Sequence, residues 1–253
     1  MTENELSAIY ANSHNGLIKK LLDVRRENPV TTAIELLLGR LVCAGQSIAV
    51  LRKDALHNSA FDRAMILRGM YDTMLQALYI LSDPAQQESR ATQYLDFYWV
   101  EKHKTLAVFD QSPTYTGQRI SRSTMRENAE PAIKKEFERV RNKFQNKNGK
   151  LSNNWYESDL RVLAKDENIG LESEYEILQK QLSAAVHSSA FALREPAFFS
   201  ESIPMVMFAW KFIFRVLGKF ADYNRISLDT LEIDLIARSA KNIFSDPSSG
   251  LRT

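Results

Sequence analysis

The stretch DRAMILRGMYDTMLQALYIL, residues 62–81, decides the fold. Met65, Ile66, Leu67, Met70, Met74, Leu75, Leu78 and Tyr79 recur three and four apart, the period of a helix with one buried stripe. Arg68 and Asp72 lie four apart on the face shared with Leu75 and Tyr79, which places a charged pair at the edge of the core or within it. Such a pair can fix helix register. Burial of an ion pair is poor evidence for stability, however, so a pair that holds an anion or orients a catalytic histidine stands beside that reading.

Working outward, the same period runs through nearly the whole chain of 253 residues. Upstream, a short helix is expected over roughly 15–27, ending before Asn28-Pro29. The next is capped by Thr31 or Thr32 and runs to about 55 on a stripe of Ile34, Leu37, Leu41, Val42 and Ile48. The connection to the helix at roughly 59–81 is so short that the two form an antiparallel pair. Downstream, an aromatic helix is expected at about 85–108, a loop at 111–125, a charged helix near 129–146, and a short helix near 155–166. Another covers about 172–191, Ser202 and Pro204 open a very apolar one to about 222, and the last lies near 228–243. Nine Gly, seven Pro, no hairpin signal and no internal repeat complete the picture. The expectation is an all-α bundle of eight or nine helices in a single domain over 1–253, with its core at roughly 15–245 and a disordered tail at 246–253.

Net charge is only +2, but it is uneven. Residues 111–150 hold ten Lys/Arg and four acids, +6, leaving −4 elsewhere. Lys134, Lys135, Arg139, Arg141 and Lys143 are the candidates there for a nucleic-acid backbone; a solvated helix is the plainer reading. Lys211, Arg215 and Lys219 recur every four residues on the apolar helix near 204–222, as cations snorkelling from an outer face or as a membrane or nucleic-acid stripe. The one cysteine, Cys43, excludes an internal disulfide framework and points to a reducing cytoplasm; it reads as a buried small hydrophobe, a nucleophile being the alternative. The opening MTENELSAIYANSHNG lacks the basic head and apolar core of a signal peptide, and no transmembrane segment is expected. His14, His57, His103 and His187 are scattered without metal-ligand spacing, and no phosphate-binding glycine motif occurs, so no metal and no cofactor is expected.

Two further stretches carry chemistry. In LSAAVHSSAF, residues 182–191, Ser183 and His187 sit one turn apart among small residues that let another helix approach. His187 is either a core histidine satisfied by a carbonyl or carboxylate, or it meets Arg68 and Asp72 across the bundle, with Ser183 a weak nucleophile candidate. Arg52-Lys53-Asp54-Ala55-Leu56-His57, an arginine and a histidine separated by four residues, resembles the signature of the HEPN ribonucleases, small helical bundles that cut RNA without metal. That resemblance implies His57 as acid/base and Arg52 as phosphate stabiliser for attack by a 2′-hydroxyl; a solvated helix end is the bland alternative.

Taken in order, Arg68 to Asp72 with Tyr79-Ile80-Leu81, Arg90 and Tyr94 before Tyr98, Trp155-Tyr156 with Arg161 to Ala164, and Tyr175 with Leu182-Ser183 and Val186-His187 resemble a bacterial all-helical family of unknown function over roughly 30–220. The resemblance implies a helical fold, singles out Arg68, Asp72, Ser183 and His187, and hints at a defence setting. Two functions are therefore expected. One is a HEPN-like, metal-independent ribonuclease with His187 or His57 as acid/base, Arg68 or Arg52 as phosphate clamp and Asp72 as orienter. The other is a non-catalytic helical module, possible as a homodimer, that binds a protein partner or small ligand in a polar pocket around the same residues.

Overall fold

The computed structural model describes residues 28–52, 59–111, 122–156, 159–186 and 205–226. The expected helices at 15–27 and 228–243, Ser202 and Pro204, the tail, and His14, His57 and His187 lie outside them. The described residues form seven α-helices and no strand: α1 Pro29–Arg52, α2 Ser59–Leu81, α3 Gln87–Gln111, α4 Arg122–Val140, α5 Leu160–Lys165, α6 Glu172–Val186 and α7 Met205–Asn224. The fold is all-α, as expected. Where the sequence reading has one domain, internal contacts divide the chain into two compact units.

The first unit holds α1, α2, α5, α6 and α7. Its first helix is capped by neither Thr31 nor Thr32. Asn28 Oδ1 accepts the Thr31 N–H at 2.9 Å. Pro29 opens the helix at the position where a missing N–H costs nothing, and Thr31 is buried. The α1 and α2 helices pack side by side. Six residues separate them. A chain of that length reaches about 25 Å at most, too little to return along a helix about 36 Å long, so the pair runs antiparallel. Ile34, Leu41 and Ile48 of α1, Leu67, Met70, Tyr71, Met74 and Leu75 of α2, and Phe212, Ile213 and Val216 of α7 form the fully buried centre. The approach of α1 to α7 is close: a Cβ on Gly45 would stand 3.2 Å from Ile213 Cδ1.

Cys43 is exposed, contrary to the expectation of burial, and Val42 is only partly buried. Both lie off the stripe that faces α2 and α7. Exposed Leu36 and Val50 each stand seven residues from Cys43, so the outer face of α1 is apolar as well. By length and composition alone, Pro29–Leu51 is apolar enough to cross a membrane, where the sequence reading expected no transmembrane segment. Its inner face is occupied by the core of the unit.

The second unit, Glu88–Asp159, holds α3, α4 and the segment after them. The α3 helix runs to Gln111, and α4 begins at Arg122, within the expected loop, with Pro131 inside it. A proline is ordinarily confined to a helix's first turn, yet Pro131 lies within α4, whose start precedes the expected one near 129. Phe97 packs edge-on to Phe144, and His103 stacks on Phe137 at 3.7 Å. Trp155 and Tyr156, expected in a helix, lie buried in a bent segment before α5. There Ser152 Oγ donates to the Asn154 carbonyl at 2.6 Å, a local bond that competes with helix formation.

Candidate functional site

The α2 helix presents three polar residues within little more than one turn. Arg68 and Asp72 form the expected i,i+4 ion pair, with side chains 14% and 28% exposed. Between them Tyr71 points into the core. It is fully buried, its ring centroid 5.2 Å from Phe212 of α7 and 6.2 Å from Tyr175 of α6. Its hydroxyl has no hydrogen-bond partner among the described residues.

Facing this stretch is Glu174, in the first turn of α6. Its carboxylate accepts from Arg215 Nη1 at 2.5 Å and Nη2 at 3.0 Å, and from Lys211 Nζ at 2.8 Å. The Arg215 fork is thus bidentate, the strongest geometry available to such a pair. Burial pushes the Glu174 carboxyl up, but the bonds and charge of Arg215 and Lys211 outweigh it and hold it below the usual carboxylate range. Tyr71 moves the other way. Burial, then the Glu174 charge, pushes its phenol well above the ordinary value of 10.0, while Arg215 and Arg68 pull it down. The same charges therefore act on the orphan hydroxyl from α2, α6 and α7.

Lys211 and Arg215 correct the sequence reading, which placed them on an outer face. Both turn in to Glu174, and Lys211 also lies over the Phe208 ring at 5.5 Å. Lys219 alone remains exposed. Eight residues carry it about 80° round the helix from Lys211, so a repeat of four does not stay on one face. Beside Arg215 opens a cavity of about 150 Å³. Ser82, Asn168, Arg215 and Lys219 form its polar wall; Leu78, Ile169 and Leu171 form its apolar one. A larger groove, about 540 Å³, lies between α1 and α2 with Arg40, Cys43, Ser47, Met65 and Thr73 along it.

Other expected site residues are placed less favourably. His187 and His57 lie outside the described residues, as does the side chain of Arg52. Ser183 is partly buried and lies eight residues beyond Tyr175, about 12 Å along α6. In the second unit, Asp96 is buried and accepts from Arg139 at 2.8 Å and Lys143 at 2.7 Å. Burial raises the Asp96 carboxyl, but these bonds more than offset it and hold it below its ordinary value. Arg139 also pairs with Glu136, Arg141 with Glu138 and Lys134 with Glu130; Lys135 is exposed. Four of the five cations expected to face a nucleic acid thus have acidic partners. Among the described residues no three His, Cys, Asp or Glu side chains gather as metal ligands.

Residues 32–202 match the family of unknown function DUF5677. The chain belongs to that family. The matched span takes in Arg68, Tyr71, Asp72 and Glu174, and ends before α7, which brings Lys211 and Arg215. No curated protein and no solved structure matches the chain. The family assignment names no activity.

Proposed function

We propose that the unit built from α1, α2, α5, α6 and α7 is a ligand-binding module whose site is the charged cluster at Tyr71. One observation carries this reading. Among the described residues, the Tyr71 hydroxyl is buried and unpartnered amid the charges of Arg68, Glu174 and Arg215. A purely structural network satisfies its members, and an orphaned buried hydroxyl costs about 1–3 kcal/mol. Binding suits the cluster better than acid–base catalysis. Both carboxylates are held by cations, and the phenol is pushed away from ionisation. The test is a thermal-shift panel of small anions, cations and neutral compounds on the full chain. At least one compound is expected to raise the melting temperature saturably, by the equivalent of about 2.7 kcal/mol at a hundred times its Kd, with less effect on Tyr71→Phe. A flat panel overturns the reading.

The inward Arg68–Asp72 pair favours a second reading, the HEPN-like ribonuclease of bacterial defence acting in the cytoplasm. There Arg68 or Arg52 clamps the phosphate, Asp72 orients His187 or His57, and the cations from Lys134 to Lys143 hold the RNA backbone. The ion pairs of those cations predict a shallow salt dependence for that contact. Expression of wild type, His187→Ala and His57→Ala tests it through growth and RNA integrity. Cleaved RNA that one well-folded histidine variant abolishes supports the ribonuclease; intact RNA in wild type removes it.

A further inference from the structure

We propose that the cavity beside Arg215 takes the carboxylate or phosphate head of a small molecule whose short apolar body rests on Leu78, Ile169 and Leu171. The proposal rests on the ligand-binding reading and names the ligand's class.

Among the described residues, the cavity wall contains two cations, a hydroxyl and a carboxamide, and no acidic side chain. Arg215 has donors to spare. A guanidinium carries five N–H groups, and Glu174 takes one from each of two Nη atoms, leaving three. Lys219 stands at the same wall and makes no ion pair within the described residues. Three acids close in sequence have partners of their own: Asp166 accepts from the Asn168 N–H at 2.9 Å, Asp83 from the Ala85 N–H at 2.9 Å, and Glu172 pairs with Lys165 at 2.8 Å; Glu167 and Asp222 are not among the lining residues. The two cations of the wall, Arg215 and Lys219, set a positive field that favours a bound oxyanion. Leu171, whose carbonyl accepts the first helical bond of α6 from Tyr175, belongs to the same wall, so the positive end of that helix adds to the field.

Size and lining set the rest of the ligand. At about 150 Å³ the space is an order of magnitude above the ~10–15 Å³ that one water needs. Three of its seven lining residues are apolar and stand with the charged ones, which suits a head carrying a few carbons better than a bare ion.

The experiment uses the full chain with phenyl phosphate and phenylacetate as probes, and benzylamine and benzyl alcohol as cationic and neutral controls, all at one ionic strength. Melting temperature and calorimetric affinity are read together. Either anion is expected to stabilise saturably and the controls are not; the stronger of the two anions tells phosphate from carboxylate. Lys219→Gln is expected to weaken that binding roughly tenfold. Its unliganded melting temperature should stay that of wild type, because Lys219 is exposed and makes no ion pair among the described residues. Equal response to benzyl alcohol, or unchanged affinity in Lys219→Gln, overturns the proposal. If the anions fail while another compound of the broad panel stabilises the chain, the anion site falls and the ligand-binding reading stands; if nothing stabilises it, both fall.

Discussion

Each of the two units holds a carboxylate between two cations, and the two arrangements differ in what surrounds them. In the second unit Asp96 is 7% exposed, while Arg139 and Lys143 are about half exposed, at 51% and 52%. The carboxylate is inside and its partners reach in from water, as in a clip that fastens α4 to α3. In the first unit Glu174 is 17% exposed and Lys211 and Arg215 are 27% and 28% exposed, so all three are largely withdrawn from solvent. Among the described residues, only the Glu174 arrangement adjoins an orphan hydroxyl and a cavity. Similar ion-pair chemistry thus serves closure in one unit and, on our reading, binding in the other. The distinguishing feature is how deeply the cations are buried.

That difference predicts opposite patterns of mutational cost. Glu174→Ala strands two largely buried cations and is expected to cost about 3 kcal/mol, the low end for breaking a buried pair because neither cation is wholly dry. Asp96→Asn releases cations that return to water and should cost only about 1 kcal/mol. Within the second unit the cost rises when the cations are removed instead of the acid. Arg139→Ala with Lys143→Ala leaves Asp96 buried and unpaired, at about 3 kcal/mol. Urea unfolding of the four proteins checks this, and equal costs for Glu174→Ala and Asp96→Asn would erase the contrast between the units.

Acid sharpens the comparison more gently. Both carboxyls are held below their ordinary values of 3.8 for Asp96 and 4.5 for Glu174. A depressed folded pKa gives stability that is complete above the unfolded value and lost as pH falls through the folded one. Wild type should therefore lose stability steadily as pH drops below about 4.5, and Glu174→Gln should lose less over the same interval. A melting-temperature profile from pH 7 downward reads both slopes. Parallel profiles for wild type and Glu174→Gln would mean that Glu174 is not held by its cations in solution.

Much of this was legible in the sequence, and the limits have physical causes. The helical class, the α1–α2 pair and the inward Arg68–Asp72 pair all follow from spacing within one helix, where period alone sets the face. The Glu174 cluster does not, because its bonds join residues 37 and 41 positions apart. On its own helix Glu174 looks like one more acid at an N-terminus, and Lys211 and Arg215 look like a solvated stripe. Tyr71 was missed because a tyrosine in an apolar stripe reads as core, and only the missing partner of its hydroxyl sets it apart. An acid at the start of one apolar helix facing two cations on another was the available signal. Cys43 and the start of α4 failed differently: a cysteine's burial depends on which neighbours cover its face, and residues 122–125 show no apolar periodicity that would mark a helix.

The smallest effect bears most directly on function. Tyr71→Phe removes a hydroxyl with no partner and leaves the ring against Phe212 and Tyr175. A buried hydroxyl that makes no bond costs desolvation and returns nothing, so the variant should be as stable as wild type or up to about 1 kcal/mol more stable. Most substitutions of a fully buried tyrosine destabilise, so the sign itself is informative. The sign should reverse when a stabilising ligand saturates the protein, because the hydroxyl then has a bond to lose. A double-mutant cycle with Glu174→Gln, run with and without that ligand, separates the two states. Tyr71→Phe that is destabilising in the free protein would mean that the hydroxyl already has a partner, and the site would then be a satisfied structural network like the one at Asp96.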